Sequence, residues 1–209
     1  MKRKLLLLLL GAILLLTGCA PQPATDAADK PAMYIEPAQL TEQEELIKAL
    51  ASQGRSCLLY YFQLGKDEHS VTICVYHLEN GQWALYTGGN QLYLPSQEGK
   101  GRFALSFGPL TEGIITSTVD ERNGIGSLRQ APAEIVYDIA GLNTETAAST
   151  ALAEIRYDEE LPLALQFITS KLHEVEPSPV LSFHPEDLAM LGHEHVFLVT
   201  ATFSKTTHE

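Results

Sequence analysis

One segment of the chain repeats its apolar residues at helical spacing and carries signals for both ends of a helix. Thr41-Glu42-Gln43-Glu44 is a capping-box pattern, in which the hydroxyl and the later carboxylate each satisfy an amide at the start of a helix. Leu46, Ile47 and Leu50 then recur at helical spacing until Gly54, a residue type that often follows a helix. The pattern predicts one amphipathic helix over residues 41–53.

After this helix the apolar residues alternate with a period of two, which is typical of β-strands. Asn80-Gly81 indicates a two-residue hairpin turn, because both positions need positive φ, and it places Leu78 opposite Trp83. Strands 57–64 and 71–78 are expected to pair around a turn that leaves His69 exposed at its tip. The predicted strands are 57–64, 71–78, 82–87, 92–94, 102–107, 113–119, 134–139 and 196–203.

The first two predicted strands are apolar on both faces, so we expect the early helix or a second sheet to cover the outer side. Residues 161–172 fit either a helix or a strand, because their apolar positions satisfy both periods. The whole pattern predicts a single, mainly β domain over residues 37–209. We expect an antiparallel meander or sandwich-like fold with one or two packed helices, and an α+β fold as the alternative.

The first twenty residues carry a different pattern. Three basic residues precede an apolar run from Leu5 to Leu16, which as a helix rises roughly 18 Å and is too short for a bilayer core of roughly 30 Å. Leu16-Thr17-Gly18-Cys19 resembles the lipobox of bacterial lipoproteins, where a diacylglyceryl group is added to the cysteine and the signal is cut before it. The alternative is an ordinary signal peptide with an incidental cysteine.

The resemblance implies a signal peptide at residues 1–18, a lipid on Cys19, and a mature protein anchored on the extracytoplasmic face of a bacterial membrane. Residues 19–36 hold three prolines and few large apolar side chains, which favours a flexible tether. We recognise no family resemblance in residues 37–209.

Charge limits the partners of the mature chain. The formal net charge is −12, and removing Lys2, Arg3 and Lys4 with the signal makes it −15. No cluster of Lys or Arg remains, which argues against nucleic acid and against direct docking on anionic lipid headgroups. We therefore expect the lipid to anchor the protein, and an envelope protein or a small ligand to be the partner.

Cys57 and Cys74 are the other cysteines, in an exported chain where a disulfide is chemically permitted. If the strands 57–64 and 71–78 pair with Leu64 opposite Val71, the two cysteines are about 13 Å apart along the strand, beyond the roughly 7 Å limit for a bridge. We predict two buried free thiols. A shifted register with a tighter turn would allow the disulfide.

Candidate chemistry is sparse, since the phosphate-loop, zinc-protease, nucleophile-elbow and S-x-x-K motifs are all absent. The densest polar cluster is C-terminal and includes His184, His193 and His195. On a strand, residues two apart share a face, so His193 and His195 would chelate Zn²⁺ if His184 or a carboxylate completed the site. The alternative is a set of solvated turn residues.

Two functions follow from these patterns, with no catalytic residues assigned. The first is a non-catalytic, membrane-anchored binding or interaction module, and the second is a metal-binding or metal-dependent protein that uses the C-terminal histidines. Trp83, Tyr86 and Tyr93 would support glycan binding if they lay on one exposed face, whereas single aromatic residues in strands are usually core.

Overall fold

The computed structural model describes residues 30–66, 69–94, 99–120, 124–131, 137–171 and 183–206. Within them, two antiparallel sheets dominate, which confirms the predicted mainly β, sandwich-like fold. The strands are β1 (Tyr34–Pro37), β2 (Ser56–Gln63), β3 (His69–Glu79), β4 (Gln82–Leu94), β5 (Lys100–Phe107), β6 (Ile114–Asp120), β7 (Gly124–Gln130), β8 (Asn143–Ala148), β9 (Ala153–Glu154), β10 (Glu160–Thr169) and β11 (His195–Lys205). The helices are α1 (Glu42–Ser52), α2 (Pro185–Ala189) and a 3-10 turn at Leu110–Glu112.

The six-stranded sheet has the order β7-β6-β5-β2-β1-β9, and the five-stranded sheet has the order β4-β3-β11-β10-β8. Both contribute alternate side chains to one core, because successive residues of a strand point to opposite faces. Phe62, Phe103 and Phe107 come from the first sheet, and Phe197 and Phe203 come from the second. All five rings are at most 1 % exposed.

The five-stranded sheet is apolar on its outer face as well. A smaller cluster, called here the outer cluster, consists of Leu165, Phe167, Leu188, Val196 and Leu198. Leu188 belongs to α2, so this short helix covers part of the outer face. β10 and β11 therefore bury both faces over most of their length, whereas the outer positions of residues 71–78 in β3 are only half-buried.

The predicted pairing of residues 57–64 with residues 71–78 is wrong. β2 pairs with β1 and β5, whereas β3 pairs with β4 and β11 in the other sheet. The connection after β2 therefore crosses between the sheets instead of forming a hairpin. His69, expected at an exposed tip, is 1 % exposed because it begins β3 inside the sandwich.

The Asn80-Gly81 hairpin is confirmed, with Leu78 directly opposite Trp83. The strand after it, β4, runs on through Leu94 instead of ending at residue 87. Its register shifts near Gly88, where the strand bulges past β3. The two short strands predicted at 82–87 and 92–94 are therefore parts of one continuous strand.

Residues 160–169 form the strand β10, which resolves the choice left open for 161–172. Pro162 lies beside a register shift against β11, and a bulge tolerates a residue that has no amide hydrogen. β10 pairs on one side with β8 and on the other with β11. Pairing with these two neighbours explains why the segment forms a strand and not a helix, a choice that the periodicity of its apolar residues left open.

Several boundaries differ from the predicted ones. β1 begins at Tyr34, inside the predicted tether, and Ile35 is buried in the core. β7, β8 and β9 were not predicted, because they are short, polar or rich in glycine. Of the predicted strand 134–139, residues 134–136 lie outside the described residues, and Tyr137 to Ile139 are not in a strand.

Cys57 and Cys74 are both free thiols, as predicted, but neither is fully buried as the prediction had it. They lie in different sheets, on β2 and β3, so the register argument given for their separation does not apply. Both are half-buried, and burial is the main cause that raises the pKa of each thiol. The thiolate forms are therefore disfavoured, which makes both groups weak nucleophiles.

The described residues contain no helix with the length and apolar character needed to cross a bilayer.

Candidate functional site

The structure separates the three histidines that the sequence grouped. His184 precedes α2 and is exposed. The ring of His193 lies 4.8 Å from that of Phe167, in the outer cluster. The ring of His195 lies 4.7 Å from that of Tyr137, which packs against the core between the sheets. His193 and His195 thus lie on opposite sides of the five-stranded sheet.

The shared face expected for these two residues requires both to be in a strand. β11 begins only at His195, so His193 is outside the regular alternation. Within the described ranges, no group of three or more His, Cys, Asp or Glu side chains is arranged to hold a metal ion. The structure does not bring His184, His193 and His195 together.

His195 instead lies beside His77, at one end of the layer between the sheets. His77 occupies an inner position of β3 and is directly opposite Phe197 of β11. His195 precedes Phe197 by two residues, so its ring reaches the same side. Nδ1 of His195 is 3.4 Å from Nε2 of His77, and the ring centroids are 5.4 Å apart. We call these two residues the histidine pair.

A carboxylate and a phenol hold the other side of His77. Nδ1 of His77 is 3.1 Å from Oε1 of Glu79 and 3.0 Å from the hydroxyl of Tyr137. The Tyr137 hydroxyl donates to the same Glu79 oxygen at 3.1 Å. Since the side chain of His77 is only 8 % exposed, these contacts fix the orientation of its ring within the end of the core.

These contacts also determine which ring nitrogens of the histidine pair carry a hydrogen. A carboxylate only accepts hydrogen bonds, so Nδ1 of His77 carries a hydrogen towards Glu79. In the neutral imidazole, Nε2 of His77 then has a free lone pair, which is directed at Nδ1 of His195. The arrangement is a chain from Glu79 through His77 to His195.

Ionisation at this site follows from burial and these hydrogen bonds. Hydrogen bonds from His77 and Tyr137 lower the pKa of the Glu79 carboxyl. Burial, followed by the bond to Glu79, raises the pKa of Tyr137 to about 12. Burial, followed by the nearby charge of His77, lowers the pKa of His195. At neutral pH the site therefore combines one carboxylate, a neutral phenol and a neutral His195 ring.

Aromatic rings surround the histidine pair. Tyr86 and Phe197 are buried, with ring centroids 5.3 Å apart, and the ring of Tyr137 is tilted against that of His77 with the centroids 4.7 Å apart. Trp83 is on the outer face, where its indole donates to the carbonyl of Phe183. Tyr93 is 63 % exposed. Trp83, Tyr86 and Tyr93 therefore do not share one exposed face that would bind a glycan.

The opposite end of the sandwich holds a second histidine contact. Nε2 of His69 is 2.6 Å from the hydroxyl of Tyr157, and their rings are stacked at 5.4 Å. The ammonium of Lys205 lies 5.3 Å from the centre of the Tyr157 ring. His69 is buried in this contact, which supports a structural role.

α1 turns its polar face towards the six-stranded sheet, whereas its amphipathic pattern predicts that the apolar face lies there. Its half-buried positions are Glu44, Lys48 and Ser52, which recur every four residues on the side of β2. Glu44 lies 3.7 Å from Arg102 of β5. The apolar stripe, defined as Leu46, Ile47 and Leu50, faces solvent, with 61 %, 58 % and 71 % exposure respectively. The expectation of a packed helix is wrong for this stripe.

Sequence reasoning identified His195 but missed its partners. The one available signal was the spacing of His77 and Glu79, which are two apart in a predicted strand and so share a face. Tyr137 is 60 residues from His77, and no local pattern connects them. Cys19, the predicted lipidation site, lies outside the described residues.

No family of known proteins, no curated protein and no solved structure matches this chain.

Proposed function

We propose that this protein is a bacterial lipoprotein, anchored through a lipid on Cys19 to the extracytoplasmic face of a membrane. We further propose that its β domain is a non-catalytic module that binds another envelope protein through α1. The anchor is supported by the order of basic residues, leucine run and L-T-G-C at the start of the chain. Two or more acyl chains would hold the domain at the membrane.

The outward direction of the apolar stripe is the observation that carries the binding role. An amphipathic surface helix normally buries its apolar stripe against the core. Here the capping box is formed, with Glu44 bonded back to the amide of Thr41 at 2.8 Å, and the helix still turns its polar side inward. A contiguous exposed apolar stripe rimmed by polar residues is typical of an interaction site.

The negative charge of the chain limits which class of partner could cover this stripe. Glu42, Glu44 and Glu45 lie in the first turn, and the mature chain has a formal net charge of −15 after removal of three basic residues from the −12 of the whole chain. Like charge disfavours a second copy of this chain and an anionic lipid surface. The partner that fits is a protein with an apolar groove and a basic rim. The groove would bind the helix through its apolar stripe, whose residues stand at positions i, i+1 and i+4.

The anchor is tested by changing Cys19 to Ala in the full chain and measuring partition into the detergent phase, together with labelling by a palmitate analogue. We expect the wild type and a Cys57→Ala control to be labelled and to enter the detergent phase. The Cys19→Ala variant should lose both properties. Equal labelling of all three proteins would overturn the proposed anchor.

The binding role is tested with a photoreactive amino acid placed at position 47 of the full chain in its own cells. The control position is Glu159, a polar residue whose side chain is 62 % exposed. We expect one protein to cross-link at position 47 and not at 159, with less adduct after Leu46→Glu or at high salt. An absence of adduct, or the same adducts at both positions, would contradict binding through α1.

A further inference from the structure

We infer that His77 and His195 together bind one divalent transition-metal ion of the tetrahedral, imidazole-preferring class, for which Zn²⁺ is the probe. The site lies at the end of the layer between the sheets and does not depend on the anchor or on α1. It differs from the trio that the sequence suggested, because it replaces His184 and His193 with His77. The remaining coordination positions would be filled by water.

The separation of the two ring nitrogens supports this site. Two nitrogens that bind one tetrahedral Zn²⁺ at about 2.0–2.1 Å are about 3.3–3.4 Å apart. Nδ1 of His195 and Nε2 of His77 are 3.4 Å apart. The observed distance therefore equals the span of two ligand nitrogens on one ion. It is also at the long limit of a hydrogen bond, so an ion could replace the shared hydrogen with little movement of the rings.

The environment of His77 provides a second feature of metal-binding histidines, which is a hydrogen-bond partner that orients the ring. A metal-binding histidine almost always donates its other ring N–H to a carboxylate or carbonyl, which fixes the ring and makes the free nitrogen a better ligand. Nδ1 of His77 has this partner in Glu79 at 3.1 Å, and the Tyr137 hydroxyl holds the same oxygen. Nε2 of His77 is left as the ligand nitrogen.

His195 completes the pair without a large rearrangement. Its ring is half-buried and is framed by Tyr137 at 4.7 Å and Phe197 at 6.5 Å. Metal binding needs only the proton on Nδ1 to move to Nε2, so that Nδ1 becomes a ligand. Two protein nitrogens make a weak, exchangeable site, and we expect a dissociation constant in the micromolar range.

The experiment is calorimetric titration of Zn²⁺ into the full chain purified in detergent, at neutral pH. We expect one ion per chain, with affinity at least about tenfold weaker in His195→Ala and about tenfold weaker in Glu79→Gln, where only the orienting carboxylate is lost. His184→Ala and His193→Ala are the matched controls and should bind as the wild type does. Thermal unfolding of each variant shows that it is folded.

Co²⁺ provides a second readout, because a tetrahedral site gives intense visible absorption. The wild type should show this band, and His77→Gln and His195→Ala should lose it. Three results would overturn the inference: no binding of Zn²⁺, affinity unchanged in folded His195→Ala, or loss of affinity in His184→Ala or His193→Ala. The last result would instead support the C-terminal trio.

Discussion

Gln166 of β10 accepts a 2.6 Å hydrogen bond at Oε1 from the backbone amide of Leu110, which belongs to the connection between β5 and β6. Its Nε2 donates to the carbonyl of Gly108 at 2.9 Å. The side chain of Gln166 is 1 % exposed. One buried side-chain amide of the five-stranded sheet thus satisfies two backbone groups in a connection between strands of the six-stranded sheet.

Replacing Gln166 with Leu should lower the free energy of unfolding by about 2–4 kcal/mol, because two backbone groups lose their partners away from water. Urea unfolding of the purified protein measures this change. Gln91→Leu is the control, since Gln91 is exposed on β4 and should change stability by no more than about 0.5 kcal/mol. Equal stability of the two variants would mean that the Gln166 bonds contribute little.

Two neighbouring glycines of β4 should respond differently to alanine. A Cβ at Gly88, where φ is +142°, would lie 2.6 Å from the carbonyl oxygen of Ile73, whereas a Cβ at Gly89, where φ is +88°, meets no atom within 4 Å in the described part of the chain. Gly89→Ala should cost only backbone strain, about 1–2 kcal/mol. Gly88→Ala should cost a further 1–3 kcal/mol or so, since backbone atoms of β3 must move.

Chemical unfolding of both alanine variants measures this difference. Both residues have positive φ, but φ at Gly88 lies further from the left-handed region that alanine can adopt. The extra loss at Gly88 therefore combines greater backbone strain with the close approach of β3. Similar losses of stability would show that the bulge at Gly88 adapts to a side chain.

The apolar stripe of α1 should contribute little to the stability of the isolated protein. The double change Leu46→Gln and Leu50→Gln should alter the free energy of unfolding by less than about 0.5 kcal/mol for each site. Leu105→Ala is the contrast, because Leu105 is 0 % exposed and its truncation should cost about 2–5 kcal/mol. A loss in the double variant close to that of Leu105→Ala would mean that the stripe is packed, which would remove the basis of the proposed docking.

The capping box should make α1 sensitive to acid. Hydrogen bonds from the backbone and hydroxyl of Thr41 lower the pKa of Glu44 below its ordinary value of 4.5. A lowered pKa means that the charged form stabilises the folded helix above pH 4.5 and that this contribution is lost as the pH falls further. The protection of the α1 amides from hydrogen exchange, measured relative to the intrinsic rate at each pH, should therefore decrease below pH 4.5. Glu44→Gln should remove most of that dependence, and an unchanged pH profile in the variant would contradict this assignment.

Local patterns predicted the elements whose signals lie within a few residues. The capping box beginning at Thr41 gave the helix observed at Glu42–Ser52, and Asn80-Gly81 gave the hairpin that pairs Leu78 with Trp83. The period of two predicted the strands with alternating apolar residues, such as β2, β3 and β5, because a strand half-buried in any sheet must alternate. None of these signals states which sheet a strand joins.

Only part of the candidate site could be predicted from the sequence. His77 and Glu79 share a strand face that spacing alone implies, but Tyr137 reaches them from 60 residues away and His195 from 118 residues away. The grouping of His193 with His195 assumed a strand that begins before His193, and β11 begins at His195. Because His193 and Glu194 precede the strand, the rings of His193 and His195 lie on opposite faces of the sheet.

The sequence by itself determined the signal-like start of the chain, the capped helix, the tight hairpin and the β-rich character of the domain, because turn, cap and alternation are properties of neighbouring residues. Only the tertiary structure decided that β2 and β3 belong to different sheets, that β10 is a strand, and that the stripe at Leu46 faces water. These outcomes depend on contacts between residues distant in the chain. Their free energies are set by which apolar faces meet in the core, and no local pattern contains that information.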